Sequence, residues 1–193
     1  MAINRLNPDY PDAGLVQLMP SSAAVGSGSA TITGNGSVTF SGASSVSLNG
    51  IFSADYTTYH INFLLESAST QAGVTVRFRT SGTDNTSNVY YGAGQLNYAY
   101  NGSYFTDSAN PSTQSQTLVG AEQISSLYGS LMVMEISNPF QSQLTVVKSQ
   151  SNSSYANRHS NLTHNSTTSF DGMSFIYSSG NMTGKIQVYG YRN

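Results

Sequence analysis

The pattern that most limits this chain is one-for-one alternation of apolar and polar residues, cut at short intervals by Gly, Asn and Ser. Successive side chains of a β-strand point to opposite faces, so alternation makes a strand with one buried and one exposed face. The final stretch, NMTGKIQVYGYRN, places Ile186, Val188 and Gly190 on one face and Gln187, Tyr189 and Tyr191 on the other. Termini fray unless they are tied into a sheet, so so regular a strand predicts a C-terminus held within the fold.

The same reading runs back along the chain. ATITGNGSVTF predicts a hairpin, with Ile32 on one strand, Val38 and Phe40 on the other, and a turn through Gly34, Asn35 and Gly36. Val46 and Leu48 mark a short strand, and Tyr59, Ile61, Phe63 and Leu65 a longer one. In VTVRFR, Val74, Val76 and Phe78 face inward while Thr75, Arg77 and Arg79 face outward. Leu96, Tyr98 and Tyr100 share a face, as do Met173, Phe175 and Tyr177. LMVMEI and LTVVK are fuller apolar runs and predict strands covered on both faces. Nine or ten such strands predict an all-β protein, an antiparallel β-sandwich of jelly-roll type whose sheet is closed against free edges. One helical turn is expected at residues 120–129, where Ile124 and Leu127 are spaced three apart.

Ahead of the alternating region, residues 1–25 hold Pro8, Pro11 and Pro20. Proline lacks an amide donor and is excluded from central strands. The expected division is therefore an extended N-terminal arm over 1–25 and a sandwich domain over 26–193. Leu15, Val16, Leu18 and Met19 are the arm's docking residues, either on its own domain or on a neighbouring chain.

Composition narrows the function. Charged residues make up 8% of the chain, against roughly 25% in an ordinary domain. With a net charge of −2 and no basic stripe, the chain is not expected to bind nucleic acid. No stretch approaches the ~20 apolar residues of a membrane helix, and no secretory leader is recognisable at the N-terminus. Cysteine is absent, which excludes thiolate chemistry. The surface is built from Ser, Thr, Asn, Gln and Gly, as in β proteins that meet other proteins or sugars.

Catalytic chemistry finds little support. His159 and His164 are five apart, which puts them on opposite faces of a strand and argues against a shared metal; both are expected to be solvated or at an interface. No nucleophile elbow or phosphate-cradling glycine loop is present. The nine acidic residues are scattered, and Asp55 and Asp171 sit in SADY and SFDG, which read as turns. SGTDNTSN offers calcium only one carboxylate, Asp84, where several are usual. No catalytic residue, metal or cofactor is expected, and the chain reads as a non-enzyme.

The most informative local feature is aromatic. VYYGAGQLNYAYNGSYF packs Tyr90, Tyr91, Tyr98, Tyr100, Tyr104 and Phe105 into seventeen residues. Tyrosine pairs a broad apolar ring with a polar tip and favours interfaces. Three readings stand together: a ligand surface, an oligomer interface, and packing inside the sandwich.

Three stretches in order, SVTFSGASSVSLNGIFSADYTTYHINF, VTVRFRTSGTDNTSNVYY and TTSFDGMSFIYSSGNMTGKIQVYGYRN, resemble those of small virion proteins of tailed phages. The shared pattern is Ser-Leu-Asn-Gly-x-Phe, Tyr-x-x-Tyr, Arg-x-Arg followed by Ser-Gly-x-Asp, and a closing Gly-x-Ile-x-Val-Tyr-Gly-Tyr. It covers most of residues 22–193. The resemblance implies a component of the virion surface, made in the host cytoplasm, and brings no catalytic residues. A compact domain with a short arm and no fibrous shaft suits a capsid decoration (cement) protein docked on the major capsid protein or other virion proteins. The alternative is a minor tail or tail-tip protein that contributes to binding a host surface glycan. Common sandwich assemblies suggest a homotrimer, with Tyr189 and Tyr191 facing the neighbouring subunit.

Overall fold

The computed structural model describes residues 14–98, 104–109, 117–118, 129–153 and 156–191, with the backbone alone described for 104–109 and 117–118. The first seven strands are β1 (Leu15–Leu18), β2 (Ser22–Val25), β3 (Ser29–Ile32), β4 (Val38–Ala43), β5 (Ser45–Asn49), β6 (Thr58–Ala68) and β7 (Val74–Thr80). Next come β8 (Thr83–Asp84), β9 (Tyr90–Tyr98), β10 (Tyr104–Ala109), β11 (Thr117–Leu118) and β12 (Ser130–Ser137). The chain then forms β13 (Thr145–Asn152), β14 (Ala156–His164), β15 (Gly172–Tyr177) and β16 (Met182–Tyr191). All described pairings are antiparallel, and they build an all-β sandwich of jelly-roll type from two sheets. The broad sheet runs β10-β9-β14-β13-β12-β6-β16-β4-β3, with β1 also on β16; the narrow sheet runs β11-β7-β15-β5-β2, with β8 on β7. The predicted helical turn at 120–129 lies outside the described residues, apart from Gly129.

Among the described residues, the expected closed sheet is instead two open ones, ending at β10 and β3 in the broad sheet and at β11 and β2 in the narrow one. At one side the chain itself crosses between layers: β2 pairs with β5, and three residues later β3 pairs with β4. The C-terminal strand is held as its alternation predicts. β16 lies inside the broad sheet with β6 along one side, while β4 and β1 share the other, β4 over Met182–Ile186 and β1 over Val188–Tyr191.

That arrangement corrects the N-terminal boundary. Residues 15–25 are not an arm apart from the sandwich but two of its strands, one in each layer. Leu18 packs against the core and Val16 is half-buried, while Leu15 and Met19 are 48% and 57% exposed. Pro20 falls between β1 and β2, where no ladder amide is needed. Pro8 and Pro11 lie outside the described residues.

The core forms where inner faces meet. Ile61, Phe63, Met132, Met134, Ile186 and Val188 of the broad sheet face Val46, Leu48, Val74, Val76, Met173 and Phe175 of the narrow one, all at most 2% exposed. Phe63 and Phe175 meet across the layers at 5.3 Å between ring centroids. Phe78 is the hub of the aromatic end, with Phe170 at 5.0 Å, His164 at 5.7 Å and Tyr90 at 6.2 Å. Two glycines of the closing motif have packing reasons. A Cβ on Gly184 would lie 2.1 Å from the Leu64 carbonyl oxygen, where β16 slips register against β6, and one on Gly190 would enter the Tyr56 ring at 2.5 Å.

Two strands depart from the sequence reading. β12 and β13 are buried on one face only, so Leu131 and Val146 are 45% and 43% exposed rather than covered. Arg79 points outward as predicted but is buried there. Its guanidinium ion-pairs with Asp84 and donates to the Gly82 carbonyl, to Ser174 Oγ at 2.8 Å and, through Nε, to Asn49 Oδ1 at 2.9 Å. Asp84, the one carboxylate of the candidate calcium loop, is thereby committed to a protein cation. It also accepts from Ser174 Oγ at 2.7 Å, and Arg77 lies 3.9 Å away. Removing one partner of a buried pair strands the other's charge. Asp84→Ala is therefore expected to lose about 3 kcal/mol of stability in urea unfolding, whereas Arg77→Ala, at the rim of the cluster, loses less than about 1 kcal/mol.

Candidate functional site

Among the described residues, the outer face of the broad sheet carries a continuous array of side chains with no layer packed over them. Pairing registers align these side chains in rows across the strands. Gln95 of β9 stands beside His159 of β14, then Gln150 of β13, Val133 of β12, Asn62 of β6 and Gln187 of β16. The adjacent row runs Ala93, Asn161, Lys148, Glu135, His60 and Tyr189. Over β12, β13 and β14 the two rows enclose an open depression of about 430 Å³, lined by Val133, Glu135, Lys148, Gln150, His159 and Asn161 together with Ser149 and Ser160.

The side chains bordering the depression are partly locked. His60 Nε2 lies 3.0 Å from Asn62 Oδ1, and the His60 ring sits 6.2 Å from that of Tyr189. The Tyr191 hydroxyl donates to Glu135 Oε1 at 3.5 Å. Leu64 and Leu131, paired across β6 and β12, give this face a small apolar strip at 41% and 45% exposure. The lining holds one carboxylate, Glu135, whereas glycoside hydrolysis by the common mechanism takes two. What the surface supplies is hydrogen bonding and contact. Among the described residues, no group of three or more His, Asp or Glu side chains is placed to hold a metal ion.

The predicted tyrosines do not converge. Tyr90 is fully buried: its hydroxyl accepts from the Phe78 amide and donates to the Asn85 carbonyl, both at 3.0 Å, and burial raises its pKa. It is a core residue and not an interface candidate. Tyr91, one position on, faces outward at 39% exposure and accepts from Asn165 Nδ2 at 3.1 Å. Tyr98 is half-buried on the inner side near Arg158. Tyr100 and the side chain of Tyr104 lie outside the described residues. Alternation along β9 thus splits the cluster between two faces. Tyr189 and Tyr191 do share the outer face, half-buried beside Gln17 and Leu15 of β1.

β14 carries the residues that sequence reasoning missed. His159 is exposed on the outer row, but His164 is fully buried, so the expectation of a solvated or interface position fails for His164. His164 is caged by Tyr90 at 4.6 Å, Phe170 at 4.7 Å and Phe78 at 5.7 Å, all edge-on. Among the described residues, neither of its ring nitrogens has a partner in hydrogen-bonding geometry. Arg158, 2% exposed, donates through Nε to Ser160 Oγ at 3.2 Å, and burial lowers its pKa. The inner face is therefore polar along β13 and β14 beyond Val147 and Leu162.

No protein-family profile matches the chain, and no curated protein does. Solved structures of comparable outline include the SPRY domain of human HERC1, with a TM-score of 0.39 at 11% identity over 92% of this chain and 98% of that one. Others are domain 4 of AbnA, an extracellular arabinanase of Geobacillus stearothermophilus solved with arabinotriose (TM-score 0.36, 9% identity, 89% and 82% covered), and a Lotus tetragonolobus seed lectin (0.36, 11%, 88% and 92%). At these scores the likenesses carry no argument about function.

The caged histidine makes stability depend on pH. Burial pushes the His164 pKa down to about 4 from its ordinary 6.5, with the backbone near Ser166 opposing the shift. Between those values the unfolded chain binds a proton that the folded chain refuses. Stability is therefore lost as pH falls from about 6.5 to about 4, by up to about 3 kcal/mol in all. Melting temperatures measured from pH 7 to 4.5 are expected to fall in the parent protein and to stay flatter in His164→Phe. Parallel curves would show that the histidine does not contribute.

Proposed function

We propose that this chain is a non-enzymatic structural protein of a tailed-phage particle, acting through surface contact. The observation that carries this reading is the outer face of the broad sheet. It is wide and backed by the core, its charges (Glu66, Glu135, Lys148 and Lys185) balance, and it is furnished with amides, half-buried tyrosines and a strip of exposed leucines. Contact residues of that kind are favoured at protein interfaces, where charge is depleted and Tyr is enriched. The ordered motif blocks that resemble phage virion proteins support the same reading.

Within the particle, we favour a capsid decoration protein that sits on the major capsid protein. Integration of residues 15–25 into the sandwich shifts the anchoring role from the predicted arm to the corner where β1 lies on the end of β16, which leaves the depression over β12, β13 and β14 open. Leu15, Tyr189 and Tyr191, side by side where β1 lies on the end of β16, form the proposed contact with a neighbouring subunit together with the exposed Met19 just beyond β1, and a homotrimer is the proposed assembly. The second reading, a tail-tip protein that contacts a host glycan, is favoured by the open depression over β12, β13 and β14.

Gold-labelled antibody on intact particles tests the location. Label over the head is expected, and capsids assembled without the protein should lose heat resistance. Label at the tail tip would select the second reading, and absence of the protein from purified particles would reject both. Light scattering of the purified protein should give a trimer mass that falls to that of a monomer on Tyr191→Ala with Met19→Ser.

A further inference from the structure

The row from Gln95 to Gln187 has a regularity that a generic contact surface does not need. It crosses six adjacent strands at right angles, so its side chains repeat at the strand spacing of ~4.8 Å and extend over ~24 Å. Four of its six positions are amides and a fifth is an imidazole. An amide offers one acceptor oxygen and two donor hydrogens, which matches a sugar hydroxyl that both donates and accepts. The repeat is comparable to the length of one pyranose unit in an extended polysaccharide. Val133, mid-row, gives an apolar floor for the C–H face of a ring, and the Glu135 carboxylate at the rim accepts a hydrogen bond from the Tyr191 hydroxyl. The enclosed volume of about 430 Å³ falls within the range of ligand sites.

Charge points the same way. Glu135 and Lys148 stand opposite one another in register, so the depression has no excess charge to hold an anion. We propose that this row is a ladder of subsites for an extended, neutral polysaccharide lying across the strands, with Asn62, Gln150 and His159 reading its hydroxyls. The side chains stand on central strands of a packed sheet, so little ordering is lost on binding. The inference deepens the particle-surface reading by naming a ligand class for this face, but it is read out on the isolated protein.

The full-length purified chain is applied to an array of neutral and acidic bacterial polysaccharides. Retention on at least one neutral polysaccharide is expected, with affinity rising from the di- to the tetra- to the hexasaccharide cut from it. Gln150→Ala combined with Asn62→Ala should weaken hexasaccharide binding about tenfold or more with an unchanged melting temperature. Amide NMR shifts on titration should map to β6, β12, β13 and β14. Retention on acidic polysaccharides only, affinity that does not grow with chain length, shifts confined elsewhere, or no retention at all would each overturn the proposal. None of these outcomes bears on whether gold label falls on the particle, so the two readings fail separately.

Discussion

A single covered cation organises much of this fold. The Arg79 guanidinium is buried on the outer side of the narrow sheet, where an unpaired charge is costly, and it takes its partners from three separate parts of the chain. Asn49 ends β5, Gly82 and Asp84 form the tight turn after β7, and Ser174 stands mid-β15. Nearby, the Asp171 carbonyl accepts the amides of Ile51 and Phe52, while its carboxylate accepts from Ser81 N. The three sequence blocks that carry the phage resemblance therefore meet at one joint. Ser-Leu-Asn-Gly, Arg-x-Arg with Ser-Gly-x-Asp, and the Asp-Gly-Met-Ser stretch each supply part of one hydrogen-bonded cluster, so these motifs describe how the sandwich is held rather than what it binds.

The joint also positions the far layer. Asn85, next to Asp84, donates its amide to the Phe78 carbonyl and receives the Tyr90 hydroxyl on its own. Tyr90 begins β9, the strand that carries Gln95 at the end of the outer row. Behind that row the inner positions Ile61, Phe63, Met132 and Met134 are interlocked with the narrow sheet and cannot shift without opening cavities. The outer face is thus backed by residues on its reverse side, and alternation is what couples the two.

Residues whose character matches their burial were legible in advance. The hairpin of β3 and β4, the inner faces of β6 and β7, and the embedded C-terminal strand all follow from alternation. β14 did not, because its inward positions are Ala156, Arg158, Ser160, Leu162 and His164: the period of two is present, but polarity hides it. The apolar runs in β12 and β13 misled in the other direction. Leu131 and Val146 look like core residues by type, yet among the described residues no second layer covers them. Of the outer row, only His159, as a solvated or interface residue, and Gln187, on the polar face of the last strand, had been named, since the others are ordinary positions until the pairing registers bring them side by side.

The chain's own pattern was sufficient to determine an antiparallel two-layer protein, the inner faces of its cleanly alternating strands, and the absence of thiol chemistry, because these depend on local periodicity and composition. Tertiary structure alone decided that Leu15–Val25 belongs to the sandwich, that Tyr90 and Tyr91 part company, that Arg79 is covered, and that six residues spread from Asn62 to Gln187 form one line. Those outcomes depend on which strands become neighbours and in what register, and that choice is made by contacts between segments far apart in sequence.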